Sequence, residues 1–133
     1  MLSRVLELDT SETESIDLTA ELTDFCLEGG DGLLNVYAPH STVGLAIIQP
    51  DDGSTDDVME AVGRFAPRDH AYKHELKSRG HGADHLTPVV LAPSLTIPVD
   101  AGALALGTWQ RVLFFDFDVE TPARQVRLSF DQG

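Results

Sequence analysis

The sequence predicts an α+β fold built on a largely antiparallel sheet. Three observations carry that reading. Two segments in the first half have helical apolar spacing, and the second half is a series of short strand-like runs parted by turn residues. No strand–helix alternation appears there to build a parallel sheet. A chain of 133 residues, 42% hydrophobic and 23% charged, is ordinary for one globular domain, expected to span residues 1–133.

The elements follow in order. Residues 3–8 alternate in polarity and read as a first strand. Asp17 is placed to cap a helix whose apolar residues Leu18, Leu22, Phe25 and Cys26 fall at helical spacing, and Gly29-Gly30 ends it. Two strand-like runs, 33–38 and 43–49, are joined at Pro39-His40-Ser41-Thr42. A second helix starts near Ser54, with Asp56 and Asp57 in its first turn, where the helix dipole favours carboxylates. Val58, Val62 and Phe65 supply its expected buried face, and Pro67 stops it. Residues 68–87 show no sustained periodicity, contain Gly80 and Gly82, and hold four of the five histidines. A loop that long in a small domain is often functional. From Pro88 onward, strands are expected over 89–92, 95–99, 104–108, 112–118 and 125–130.

Charge excludes some functions. With 22 acidic residues against 9 basic ones the net charge is −13, and Lys73 and Lys77 are the sole lysines. Such a surface repels nucleic acid and anionic membranes, so neither is an expected partner. Acidic residues spread along the whole chain fit adaptation to concentrated salt, the alternative being a low-pI protein of ordinary habitat. There is no apolar run of about 20 residues for a membrane span and no secretory signal pattern. The lone Cys26 points to a reducing cytoplasm and reads as a small buried hydrophobe. Trp109 reads as a core residue, or else as the floor of a pocket for a flat ring.

Chemistry concentrates in His40, His70, His74, His81 and His85. His70/His74 and His81/His85 are each spaced to put two rings on one side of a helical turn, which suits shared metal coordination. Any isolated pair of this kind reads more readily as solvated loop histidines. Asp51, Asp52, Asp56 and Asp57 offer oxygen ligands or a general base, or else simply cap a helix in an acidic protein. No phosphate-binding glycine loop and no serine nucleophile elbow is present.

The stretch Ser94-Leu-Thr-Ile97-Pro-Val99-Asp-Ala-Gly102, followed by Gly107-Thr108-Trp109-Gln110-Arg-Val112, resembles the signature of the YjbQ-like family, also called the secondary thiamine-phosphate synthase family. His40-Ser41-Thr42 resembles its HTS/HTT motif, Tyr72-x-His74 its YxH motif, and His85-Leu86 its HI/HL motif. The resemblance covers roughly residues 30–130. It implies a small α+β protein with a β-sandwich-like core and two main helices, assembled as a homotrimer. It implies a weak thiamine-phosphate synthase activity whose true substrate is unsettled. It also implies that His40, His74 and His85 converge as metal ligands while His70 and His81 do not. Asp57 falls where members carry an acidic residue, with an acid/base role or a place just behind the ligands. Two departures bear on activity: Ile48-Gln49 stands where members read Asn-Glu, and Thr87 where a lysine often follows HI/HL.

The functional expectation is therefore a divalent-metal protein acting on a small phosphorylated metabolite. As a transferase it would join a pyrimidine diphosphate to a thiazole phosphate with release of pyrophosphate. The alternatives are a non-catalytic trimer that binds metal or a small ligand, and a metal-assisted hydrolase of a phosphorylated metabolite. Three histidines favour zinc, whereas pyrophosphate chemistry more often uses magnesium held by carboxylates.

Overall fold

Alternation along the strands decides which face each one buries. The computed structural model describes residues 1–74, 80–118 and 120–133. Its strands are β1 (Leu2–Asp9), β2 (Ser15–Asp17), β3 (Gly32–Tyr37), β4 (Val43–Ile48), β5 (Ser94–Asp100), β6 (Ala103–Leu104), β7 (Arg111–Asp116) and β8 (Ala123–Asp131). Its helices are α1 (Thr19–Cys26), α2 (Ser54–Phe65) and the short α3 (His81–Asp84), with a 3-10 turn over Thr87–Val89. All pairings are antiparallel: β1-β8-β3-β5-β6 form one sheet and β2-β7-β4 a second. No helix among the described residues is long and apolar enough to cross a membrane.

The two sheets share one core. β3 turns Leu34 and Val36 inward, β8 turns Val126, Leu128 and Phe130, and β5 turns Ile97 and Val99. Opposite them stand Val43 and Leu45 of β4 and Val112 and Phe114 of β7, with Leu18, Leu22 and Cys26 closing the end beside α1. Each fully buried large side chain contributes about 1.5–3 kcal/mol relative to exposure. β7 differs from its neighbours. Its run Val112-Leu113-Phe114-Phe115 is buried on both faces, because Leu113 and Phe115 meet Val62 of α2 in a second, smaller cluster. A continuous apolar run is what a strand covered on both sides requires.

Helix α1 begins one residue later than the sequence predicts, with Leu18 as its N-cap, and Asp17, the last residue of β2, accepts from the Thr19 N–H at 2.9 Å. Four further expectations are corrected. Residues 89–92 form no strand; Pro88 lies in the 3-10 turn, and the Val90 and Leu91 N–H groups bond back to the Thr87 carbonyl. The strand expected over 104–108 is cut to Ala103–Leu104, since the chain turns where the Gly107 N–H donates to the Gln110 side chain at 2.8 Å. That turn carries Trp109 into solvent, 68% exposed, and not into the core. Phe65 is half-exposed too, because α2 faces the small sheet through Val62, while Ala66, the residue just past its end, is buried.

Candidate metal centre

The histidine-bearing loop contains one turn of helix. In α3 and its C-cap, His81 and His85 lie four residues apart, so their rings fall on one side with centroids 4.4 Å apart. His74 comes from the other arm of the loop. Its ring centroid lies 4.6 Å from that of His85 and 4.9 Å from that of His81, and the Nε2 atoms of His74 and His81 are 3.2 Å apart. One ring nitrogen from each of the three residues lies within 4.8 Å of the others. His81 is buried, His85 half-buried and His74 exposed, so the cluster is anchored on one side and open on the other.

The open side is a hollow of about 410 Å³ lined by Tyr72, Lys73, His74, Gly82, His85 and Leu86. Lys73 is its cationic group and Leu86 its exposed apolar wall. Behind α3 lies a cleft of about 520 Å³ under α2, lined by Met59, Val62 and Phe117 and by Arg68, Asp84 and Asp118. Asp84 pairs with Arg68 and is nearly buried. Desolvation pushes its carboxyl up to about 6, the Arg68 guanidinium opposing the shift.

The structure brings His74 and His85 together, the third ring beside them is His81, and His40 lies apart from the three. His40 sits on the loop between β3 and β4, where its Nε2 accepts the Gln125 N–H at 2.9 Å. That assigns the ring proton to Nδ1. Burial, then the Arg124 charge, hold its pKa below the ordinary histidine value. His70 stays outside the cluster, edge-on to Tyr72 at 4.7 Å. Asp57 is exposed in the first turn of α2, and among the described residues it lines neither the hollow nor the cleft. Gln49 donates to the Asp51 carboxylate at 3.2 Å. Thr87 is buried and donates to the Asp84 carbonyl at 3.0 Å, which fastens the end of α3.

Sequence reasoning missed a buried ion pair beside His40. Arg124 donates to both carboxylate oxygens of Asp116, at 2.8 and 2.7 Å, and also to Thr42 Oγ1 at 2.9 Å. The Thr10 hydroxyl and the Asp118 N–H, the latter at 2.9 Å, also donate to that carboxylate. The available signal was the inward position of Arg124 in the β8 alternation with Val126, Leu128 and Phe130. A charge on an inward position needs a partner.

A family model described as UPF0047 protein YjbQ-like matches residues 4–132. A UPF0047 protein of Mycobacterium tuberculosis is 46% identical over 129 residues, covering 97% of each chain. One from Archaeoglobus fulgidus is 40% identical over 114 residues, covering 85% of this chain and 89% of its own. The crystal structure of a hypothetical protein from Aeropyrum pernix superposes with a TM-score of 0.89 at 30% identity, covering 98% of both chains. A YbjQ-like protein of unknown function from Sulfolobus solfataricus has the same fold, with a TM-score of 0.90 at 20% identity, covering 97% of this chain and 95% of that one. The chain belongs to the YjbQ-like (UPF0047) family.

Proposed function

We propose that the protein, as a member of that family, binds a divalent ion, zinc in preference to magnesium, and from the ring geometry that it does so through His74, His81 and His85 and offers the ion to a small phosphorylated metabolite. The observation that carries this reading is the convergence of three ring nitrogens within 4.8 Å, two of them on residues, His74 and His85, that line a surface hollow. Neutral imidazoles suit zinc, and magnesium demands oxygen. With zinc–nitrogen bonds of about 2.0–2.1 Å, two ligand atoms of a tetrahedron sit about 3.3 Å apart. The His74–His81 separation of 3.2 Å matches that edge. Three protein ligands leave a position for water or a ligand atom, and the hollow is where it opens.

Bound there, the ion would supply Lewis-acid polarisation of a phosphoryl oxygen. The chain's own residues do the rest. Lys73 places a positive charge in the hollow of a protein carrying −13 overall, so it selects an anionic group. Leu86 covers an apolar part of the ligand and excludes water beside it.

Within the family's chemistry this arrangement fits a thiamine-phosphate synthase-like transfer with release of pyrophosphate. The turnover expected of this chain is slow. Thr87 is turned to α3 and Gln49 to Asp51, and no carboxylate lines the hollow among the described residues. Losing one polar group that acts on a transition state commonly costs two or more powers of ten. The same lack of a carboxylate favours a second reading, a non-catalytic metal and ligand binder. In both, the assembly proposed is a homotrimer, about three times the 14.4 kDa chain mass by light scattering.

Metal analysis of the purified protein and of each single His→Ala variant tests the site. His74→Ala, His81→Ala and His85→Ala should each lose most bound zinc, while His40→Ala and His70→Ala keep it. Equal metal in all five variants would remove the proposal. A pyrophosphate-release assay on Gln49→Glu/Thr87→Lys then separates the readings. A rise in thiamine-phosphate formation supports the transferase, and continued inactivity with tight binding of a phosphorylated ligand supports the binder.

A further inference from the structure

Of the three clustered rings, His74 is the one not carried by α3 or its cap. Besides the ring contacts of His74 itself, two features dock its arm of the loop onto the helix. One is the ion pair between Arg68 and Asp84, 16 residues apart in sequence, in which the carboxylate is buried and the guanidinium more than half exposed. The other is a close fit: a Cβ on residue 82 would come within 2.6 Å of the His74 carbonyl oxygen and 2.8 Å of Tyr72 Cγ. Gly82 thus lets the Tyr72–His74 backbone lie directly on α3.

The arm itself is a preformed turn. The Tyr72 hydroxyl donates to the Pro67 carbonyl at 2.7 Å, the Tyr72 N–H to the His70 carbonyl at 3.1 Å, and the His70 N–H to the Pro67 carbonyl at 3.3 Å. Because residues 67–72 are tied to one another, seating Arg68 also seats Tyr72, two residues before His74. Gly80, at a φ of 92°, completes the fit, since a Cβ there would overlap the Arg68 guanidinium. A residue with a side chain at that position would meet both strained backbone and the ion pair.

We infer that Arg68 is a positioning residue: seated over Gly80 and paired with Asp84, it latches residues 68–74 onto α3 and so sets His74 as the third member of the cluster. This inference rests on the metal-site reading above. A buried carboxylate holds its partner more firmly than an exposed one, because leaving Asp84 unpaired exposes the full cost of its desolvation. The latch acts on one ring. His81 and His85 share a helical turn and need no such tie.

Cobalt(II) in place of zinc gives both an affinity and a visible ligand-field spectrum. In the full chain, Arg68→Ala should weaken cobalt binding by about 10–100-fold, as losing a group that orients a metal ligand commonly does. Its spectrum should move to that of His74→Ala. The double variant Arg68→Ala/His74→Ala should bind no more weakly than His74→Ala alone, and Arg68→Lys should recover part of the loss. If Arg68→Ala does not fold, Arg68→Gln reads the same quantity with a donor kept for the buried carboxylate.

Unchanged affinity and spectrum in the Arg68 variant would overturn the latch. So would a double variant a further tenfold weaker than His74→Ala, since Arg68 would then be supporting the other two rings or the whole fold. Should the wild type bind no cobalt or zinc, the metal reading fails by itself. The latch is then decided in the metal-free protein by the magnetisation-transfer contact between the His74 and His85 rings. That contact should be present in the wild type and lost in Arg68→Ala; its persistence overturns the inference.

Discussion

The two longer helices meet the sheets in different ways. α1 is seated in the main core, with Leu22 and Cys26 fully buried beside Leu18. α2 rests on the small sheet with Val62 as its one fully buried residue, leaves Phe65 half-exposed, and roofs the cleft of about 520 Å³. Stability therefore belongs to the sandwich and α1, where apolar surface is closely covered. The region of the three clustered histidines is held by a handful of polar ties and close backbone fits. A site built that way can be altered without unfolding the domain.

Substitutions on the two sides should break or sharpen this contrast. The largest effect belongs to the core. Phe114→Ala should cost about 3–5 kcal/mol in a denaturant titration, as large-to-small changes at buried aromatics do. Phe65→Ala should cost less than about 1 kcal/mol, since its ring is half in water. Comparable losses at both positions would erase the distinction.

Next comes the buried pair that ties β7 to β8. Removing its cation in Arg124→Met leaves the Asp116 carboxylate buried and uncompensated, for a loss of about 3 kcal/mol or more. Arg68→Ala also leaves a buried carboxylate unpaired, but it should cost less in global stability than Arg124→Met, because its guanidinium is more than half exposed and water is at hand to take its place beside Asp84. Metal addition follows. At a free zinc concentration 100 times Kd, stability should rise by about 2.7 kcal/mol, and the gain should vanish in His81→Ala. A calorimetric melt with and without chelator measures it.

Salt acts on the whole acidic surface and on neither region in particular. Raising potassium chloride from 0.1 to 1 M shortens the screening length from about 10 to about 3 Å, so the Tm should rise steeply if the protein is adapted to salt. A flat response would make it an ordinary low-pI protein.

The smallest expected effect is at His40. Its folded pKa lies below the ordinary value, so above pH 7 the ring is neutral in both states and contributes nothing. As pH falls through about 6.5 the unfolded chain takes up the proton first, and stability declines until the folded ring also protonates. In chelator-treated protein, His40→Gln should flatten that part of the stability–pH curve. An unchanged slope would show that other groups set it.

Much of the sandwich was legible in the sequence because strand alternation is a local signal. The run 3–8 lies within β1, 125–130 within β8, and Leu18, Leu22 and Cys26 are buried as their spacing predicts. Asp17 meets the Thr19 N–H at the start of α1 because a carboxylate two residues ahead of an N–H needs no distant partner for that bond. The family motifs, and through them His74 and His85, were legible for the same reason: each is a short word read in order.

Tertiary structure alone decided the rest. The histidine that joins His74 and His85 depends on the path of a long loop, which Arg68 and Asp84 close across 16 residues and Gly82 admits. His40 went elsewhere because its ring met the Gln125 N–H, 85 residues away. Trp109 and Phe65 had apolar side chains in plausible places, yet a turn and the standing of α2 left both in water. Sequence by itself determined which residues wished to be buried and which short motifs were present, since those are properties of near neighbours. Which rings meet, and which charges are paired, were settled by contacts between residues far apart in the chain, and local pattern carries no record of those.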